Sequence, residues 1–172
     1  MSRPEPKNHE RLLKDDDYIV SKTDLKGRII YCNKIFVEIS GYSEKELLGK
    51  PHSIVRHPDM PKIVFKLLWD RIERKEDIFA FVKNLCKDGG YYWVFANVTA
   101  TLDSDGKIRD YHSVRRKPNR DALKSVESIY SDLLKEERRG GMEASEKYLE
   151  ELLRSHKTTY DNFVISLQNG EI

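Results

Sequence analysis

The stretch YYWVFANVTAT, Tyr91–Thr101, constrains the fold more than any other part of the chain. In an extended strand Tyr91, Trp93, Phe95, Asn97 and Thr99 share one face, and Tyr92, Val94, Ala96, Val98 and Ala100 the other. Both faces carry apolar groups, so the strand belongs at the centre of a sheet with cover on each side. Helices supply one cover; a further helix or a partner supplies the other.

The neighbouring segments supply the rest of such a sheet. YIVSKT (Tyr18–Thr23) and RIIYC (Arg28–Cys32) read as strands joined by a turn that closes at Gly27. IFAFVKN (Ile78–Asn84) leads into the long strand through a hairpin turn at Asp88-Gly89, and KIRDYHSVRR (Lys107–Arg116) follows a second turn, DSDG. Between the second and third strands lie helix signals. Asn33 is placed to cap KIFVEIS, which Gly41 ends, and Ser43 with Glu46 forms a capping box that Gly49 and Pro51 stop. Phe65, Leu68, Trp69 and Ile72 then recur at helical spacing, predicting an amphipathic helix over Lys62–Arg74.

After Pro118 the pattern changes. Asn119 or Asp121 starts a helix through Arg138, with Leu123, Val126, Tyr130 and Leu133 on one stripe; Gly140-Gly141 breaks it. A second helix is expected over Glu143–Leu167, its stripe being Leu149, Leu152, His156, Thr159 and Phe163, which places His156 in the core. The division is an N-terminal segment (1–16), an α+β domain (17–118) and a C-terminal helical hairpin (119–172). Its sheet is antiparallel and five-stranded, with short helices on one face.

At 172 residues this is one ordinary domain plus an extension. The net charge of +2 gives no field that would draw nucleic acid or anionic lipid. No run of about 18 apolar residues is present to span a membrane, and the first residues lack the apolar stretch of a signal peptide, so a cytoplasmic protein is expected. Two isolated cysteines, Cys32 and Cys86, suit neither a disulfide framework nor a thiolate metal site. With no glycine-rich phosphate loop, nucleophile–base pairing or carboxylate pair, an enzyme is not expected.

The segment HSIVRHPDMPK, His52–Lys62, concentrates two histidines, an arginine and an aspartate between prolines. Two readings of these residues stand side by side: a rigid loop whose polar groups cap the following helix, or a ligand grip. His52, His57 and Asp59 do not have the spacing of a zinc site. Lys83 reads as a solvated neighbour, and Trp69, Phe79 and Phe81 as core.

Taken together, SKTDLKGRIIYCNKIFVEISGYSEKELLGKPHSIVRHPDMPKIVFKLLW and FVKNLCKDGGYYWVFANVTA resemble the flavin-binding PAS domain of bacterial aerotaxis receptors, from about Ser21 to Arg116. The first half is shared by PAS domains generally, whereas VRHPDMP with VKN, KDG and YYWV is more particular. The resemblance implies a PAS fold that binds FAD non-covalently, with Arg56, His57 and Asp59 needed to hold it, Asn84 in the same site, Trp69 on the long helix and Asn33 as the helix-capping asparagine. Without a receptor's anchor and signalling tail, the chain is most similar to the stand-alone PAS partners of bipartite energy-taxis receptors. The implied partner is a membrane chemoreceptor lacking its own sensor, which would hold the chain at the membrane, with a homodimer through the C-terminal helices as a further expectation. Ile78 and Ala80 stand where the family has a tryptophan and a glycine, so the ring's neighbours are expected to differ.

The chemistry of FAD suits these residues. Its flat ring asks for an apolar slot, here Phe65, Trp69 and Val82, with a few polar groups. The amide of Asn84 can both donate and accept at the ring's polar edge, and Arg56 offers a planar fork to phosphate oxygens. His57 adds a titratable donor, and Asp59 is read as the helix cap or as an orienting partner of Arg56 or His57. Two other readings keep the fold: a haem sensor using His57 or His112 as axial ligand, and a cofactor-free interaction module built on the C-terminal helices. Neither cysteine is placed to form the photoadduct of a light-sensing PAS domain.

Overall fold

The structure, a computed structural model, describes residues 2–172. Strands β1 (Ile19–Thr23), β2 (Ile29–Cys32), β3 (Ile78–Leu85), β4 (Tyr91–Leu102) and β5 (Ile108–Arg116) form one antiparallel sheet in the order β2-β1-β5-β4-β3. β2 and β3 are therefore opposite edges, and the chain between them must cross one face of the sheet. It does so as α1 (Lys34–Ser40), α2 (Glu44–Leu47), a 3₁₀ turn (His52–Val55) and α3 (Lys62–Glu73). The expected α+β plan, with helices on one face and further helices at the C-terminus, is the one observed.

Local signals account for these helices. The Asn33 side chain accepts from the Phe36 amide at the start of α1, and Ser43 and Glu46 close their capping box on α2. The N-cap of α3 is Pro61, whose side chain has no acceptor to offer. Asp59 therefore does not cap this helix. Instead the Glu137 carboxylate accepts from the Ile63 amide at 3.1 Å, from far along the chain.

Facing the helices, the inner surface of the sheet carries Ser21, Val82, Asn84, Ala96, Ser113 and Arg115, placed by register: Ser21 opposite Ser113, and Arg115 opposite Ala96. On the outer surface Phe81, Trp93 and Phe95 are buried against Ala122, Leu123, Val126, Phe163, Val164 and Leu167. So the second cover of β4 comes from the chain's own C-terminus.

That cover is α4 (Arg120–Ser155) and α5 (Tyr160–Asn169). α4 leaves helical geometry at Gly140 and at Gly141, whose φ of 70° with ψ of −158° is open to glycine, and folds back on itself there. Its first arm crosses the outer face, passes the β3 edge and reaches the inner layer, where Leu133 and, on the returning arm, Leu149 join the main core. The second helix expected over Glu143–Leu167 is divided. His156 ends α4, Lys157 takes a positive φ of 51°, and Thr159 caps α5 by accepting from the Asn162 amide. His156 is consequently exposed rather than in the core, its ring against Phe163. The apolar stripe continued across these residues, but the cap at Thr159 gave the backbone a better local alternative.

β3 is an edge strand whose outward carbonyls at Phe79, Phe81 and Lys83 are taken. Tyr130 donates its hydroxyl to the Phe81 carbonyl at 2.6 Å and Tyr160 donates to that of Phe79 at 2.9 Å. Further along, the His57 amide donates to the Lys83 carbonyl and the Lys83 amide to the Met60 sulfur. The edge is closed by side chains from the helices and by the proline-bounded motif.

Candidate functional site

Between α3, the 3₁₀ turn and the inner sheet surface lies a cavity of about 220 Å³. A bound water needs only about 10–15 Å³ of such space, so the void is far larger than a hydration site. Its walls are mainly apolar: Phe65, Leu68, Trp69 and Ile72 from α3, with Val82, Ala96 and Val98 from the sheet. Trp69 is fixed edge-on to Tyr111, and the turn at Gly27 packs so closely on its ring that a Cβ there would lie 3.2 Å from it.

Polar groups occupy defined places in this wall. Arg56 ends the 3₁₀ turn and forms a single antiparallel bridge with Asn84 of β3, which brings these two predicted residues to the same cavity. The Arg56 guanidinium lies 3.7 Å over the Phe65 ring, and Arg3 of the N-terminal segment donates to the Arg56 carbonyl. Asn84 is 3% exposed. Neither the Arg56 Nε nor the Asn84 Nδ2 has an acceptor.

His57 and Asp59 sit beside the cavity, outside its lining. The His57 carbonyl accepts from the Met60 amide, making a turn with Pro58 and Asp59 at its corner. The His57 ring is buried against Tyr91, and its Nδ1 accepts from the Asp59 amide at 3.0 Å, which puts the proton on Nε2. Burial, reinforced by the nearby Lys83, pulls its pKa down to about 4 against the opposing effect of Asp59. Burial pushes the Asp59 carboxyl up, but the 2.8 Å hydrogen bond from Lys83 together with the Lys83 and His57 charges leaves the carboxyl below its usual range. Lys83 is no solvated bystander, because its ammonium pairs with Asp59 and lies 4.4 Å over the Tyr91 ring. The motif thus clips onto the β3 edge and holds Arg56 toward the cavity. Asn33 is more distant: its side chain bonds Val20, Phe36 and Tyr18, tying α1 to β1.

Three further residues complete the site. Arg115 of β5 is 3% exposed and donates to Ser21 Oγ at 2.6 Å and His52 Nε2 at 3.0 Å. Burial pulls its pKa down to about 10, so it stays charged at neutral pH. The surface His52 exposes faces the cavity; burial and the Arg115 charge hold its pKa at about 3, so it is neutral and accepts from Arg115. His52 stood out in the sequence for its motif, but its role beside Arg115 did not. Arg115 shares an alternation with Tyr111 and Ser113, and that was the signal that could have found it.

The cavity therefore holds two arginines, Arg56 and Arg115, with Lys26 also in its lining, and among the described residues neither arginine has a salt-bridge partner. A bound group with a flat apolar body, a polar edge and an anionic tail fits this donor set. Cys32 and Cys86 do not line the cavity; burial pushes the Cys86 thiol up to about 11, an unreactive setting. Phe79 and Phe81 face the C-terminal helices on the far side of the sheet, and Ile78 packs with Ile72 and Tyr111.

The family model of the PAS fold matches residues 29–115. The aerotaxis receptor of Escherichia coli (strain K12) is 41% identical over 121 residues, covering 70% of this chain and 24% of the receptor. A nitrogen fixation regulatory protein of Klebsiella oxytoca is 27% identical over 97 residues, covering 56% of this chain and 20% of that protein. The chain thus spans less than a quarter of the length of either relative. Among solved structures, the dark structure of the blue-light photoreceptor Aureochrome1 LOV superposes with a TM-score of 0.56 at 27% identity, over 66% of this chain and 93% of that one. A sheet in this strand order, crossed by short helices over an apolar cavity and matched by the family model over residues 29–115, places the chain in the PAS-fold family.

Proposed function

We propose that this chain is a cytoplasmic FAD-binding redox sensor for aerotaxis or energy taxis, with no catalytic turnover of its own. The observation that carries the reading is the cavity's charge: two arginines with no carboxylate, set in an apolar slot, call for an anionic ligand with a ring. When bound, FAD supplies reversible electron uptake. Phe65, Trp69 and Val82 would enclose the ring and Arg56 would take phosphate oxygens. Asn84 would meet the polar edge, and His57 and Asp59 would position Arg56 through the β3 edge.

A route out of the site runs through α3, which carries Phe65 and Trp69. The C-terminal helices grip it at three points: Glu137 at its first turn, Glu146 on Lys66 at 3.4 Å, and Asp161 on Arg71 at 3.0 Å. A ligand state that moves α3 therefore biases α4 and α5. The receiving partner on this reading is a membrane chemoreceptor without its own sensor, which would bring the chain to the membrane; no helix among the described residues is long and apolar enough to cross one.

The test is the visible spectrum of freshly purified protein before and after dithionite. Two broad flavin bands that bleach on reduction are expected. A protein that stays colourless after FAD is added overturns the reading, and a sharp Soret band replaces it with haem; of the two candidate axial ligands, His112 lines the cavity and His57 does not.

A further inference from the structure

Arg115 is a buried cation whose own surroundings do not neutralise it. Its two bonded partners are Ser21 and a neutral His52, its guanidinium lies 4.7 Å from the Phe36 ring, and its Nε has no acceptor. Among the described residues no carboxylate lies within salt-bridge distance of it. A buried charge without a counter-charge is destabilising, so its retention asks for a compensating negative charge in the adjoining cavity. The two arginines of the cavity are not equivalent. Arg56 is half-buried next to Arg3 and the N-terminal segment, where a polar tail can run toward solvent. Arg115 is enclosed at the sheet surface, where the apolar part of a ligand must lie.

Resting on the flavin reading above, we infer that Arg115, held by Ser21 and His52, is the counter-charge for the reduced form of the cofactor ring. Reduction by a two-electron donor such as dithionite delivers two electrons to the ring, with one proton taken from solvent onto its central nitrogen. The ring is left with one negative charge, and Arg115 keeps its proton throughout. With that charge matched, the second proton of a neutral reduced ring is not needed. The titratable groups around Arg115 are His52 and Arg56 from the 3₁₀ turn and Tyr92 from β4, whose pKa burial raises; Tyr111, His112 and Lys26 also line the cavity.

The experiment uses the full chain loaded with FAD and measures cofactor occupancy and midpoint potential from pH 6.5 to 8.5, for the parent, Arg115→Lys and Arg115→Gln. In the parent the potential is expected to fall by about 30 mV per pH unit, the signature of one proton per two electrons. Arg115→Gln is expected to lower the preference for reduced over oxidised FAD at least tenfold, a drop of about 30 mV, with Arg115→Lys between the two. A folded, loaded Arg115→Gln with an unchanged potential overturns the inference. So does a parent slope twice as steep, which also decides the matter should Arg115→Gln fail to fold. A parent that takes up no FAD fails earlier and for a different reason, because it removes the cofactor reading itself.

Discussion

His52 and His57 are both kept neutral inside the fold, at about 3 and about 4, against an ordinary value of 6.5. Their folded pKa values are depressed, so between those values and 6.5 the unfolded chain binds more protons than the folded one. Stability is then complete above about pH 6.5 and is lost as pH falls, at up to about 1.4 kcal/mol per unit for each histidine. Urea unfolding at pH 7.5 and pH 5 should show this loss, and His52→Gln should flatten it by about half. The motif alone marked His57 as a donor titrating near neutral pH, and only the fold shows that burial holds both histidines neutral. Arg56 and Asn84 were legible as a pair because the motif and VKN stood out, and the bridge between them is what the fold adds. Arg115 was not, since an arginine followed by Arg116 and Lys117 reads as the solvated end of a strand. Only the register, setting it opposite Ala96 and Ile19, shows that it points inward.

At the scale of elements, the strands and the helices between β2 and β3 were legible because their periods, turns and caps agree with one another. The end of the second C-terminal helix was not, because an apolar stripe carries no mark where the chain stops and restarts on the same line. The link between Glu137 and α3 was beyond any local reading, since 74 residues separate it from Ile63. Glu137→Ala removes the one side-chain acceptor that, among the described residues, meets the first amides of α3, a loss of about 0.5–2 kcal/mol. Chemical denaturation should report that amount. Hydrogen exchange should show the first turn of α3 opening more readily while the β4 amides keep their protection, and equal loosening throughout would mean the contact is not local.

For the whole molecule, the C-terminal helices serve as both the second cover of the sheet and the clasp around its β3 edge. Double replacement of Tyr130 and Tyr160 by Phe keeps the packing but frees two outward carbonyls, at about 1–3 kcal/mol each if they stay buried. Light scattering during slow heating should then rise several degrees earlier than for the parent, in step with the thermal midpoint. The opposite border offers little: β2 has four residues, and Ile29 there already exchanges bonds with Lys50 and Gly49. With the β3 margin clasped and β2 only four residues long, another polypeptide finds little main chain to extend. On the proposed sensor role, a partner would then read the molecule mainly through side chains, and its specificity could be rewritten by surface substitutions without touching the β-framework.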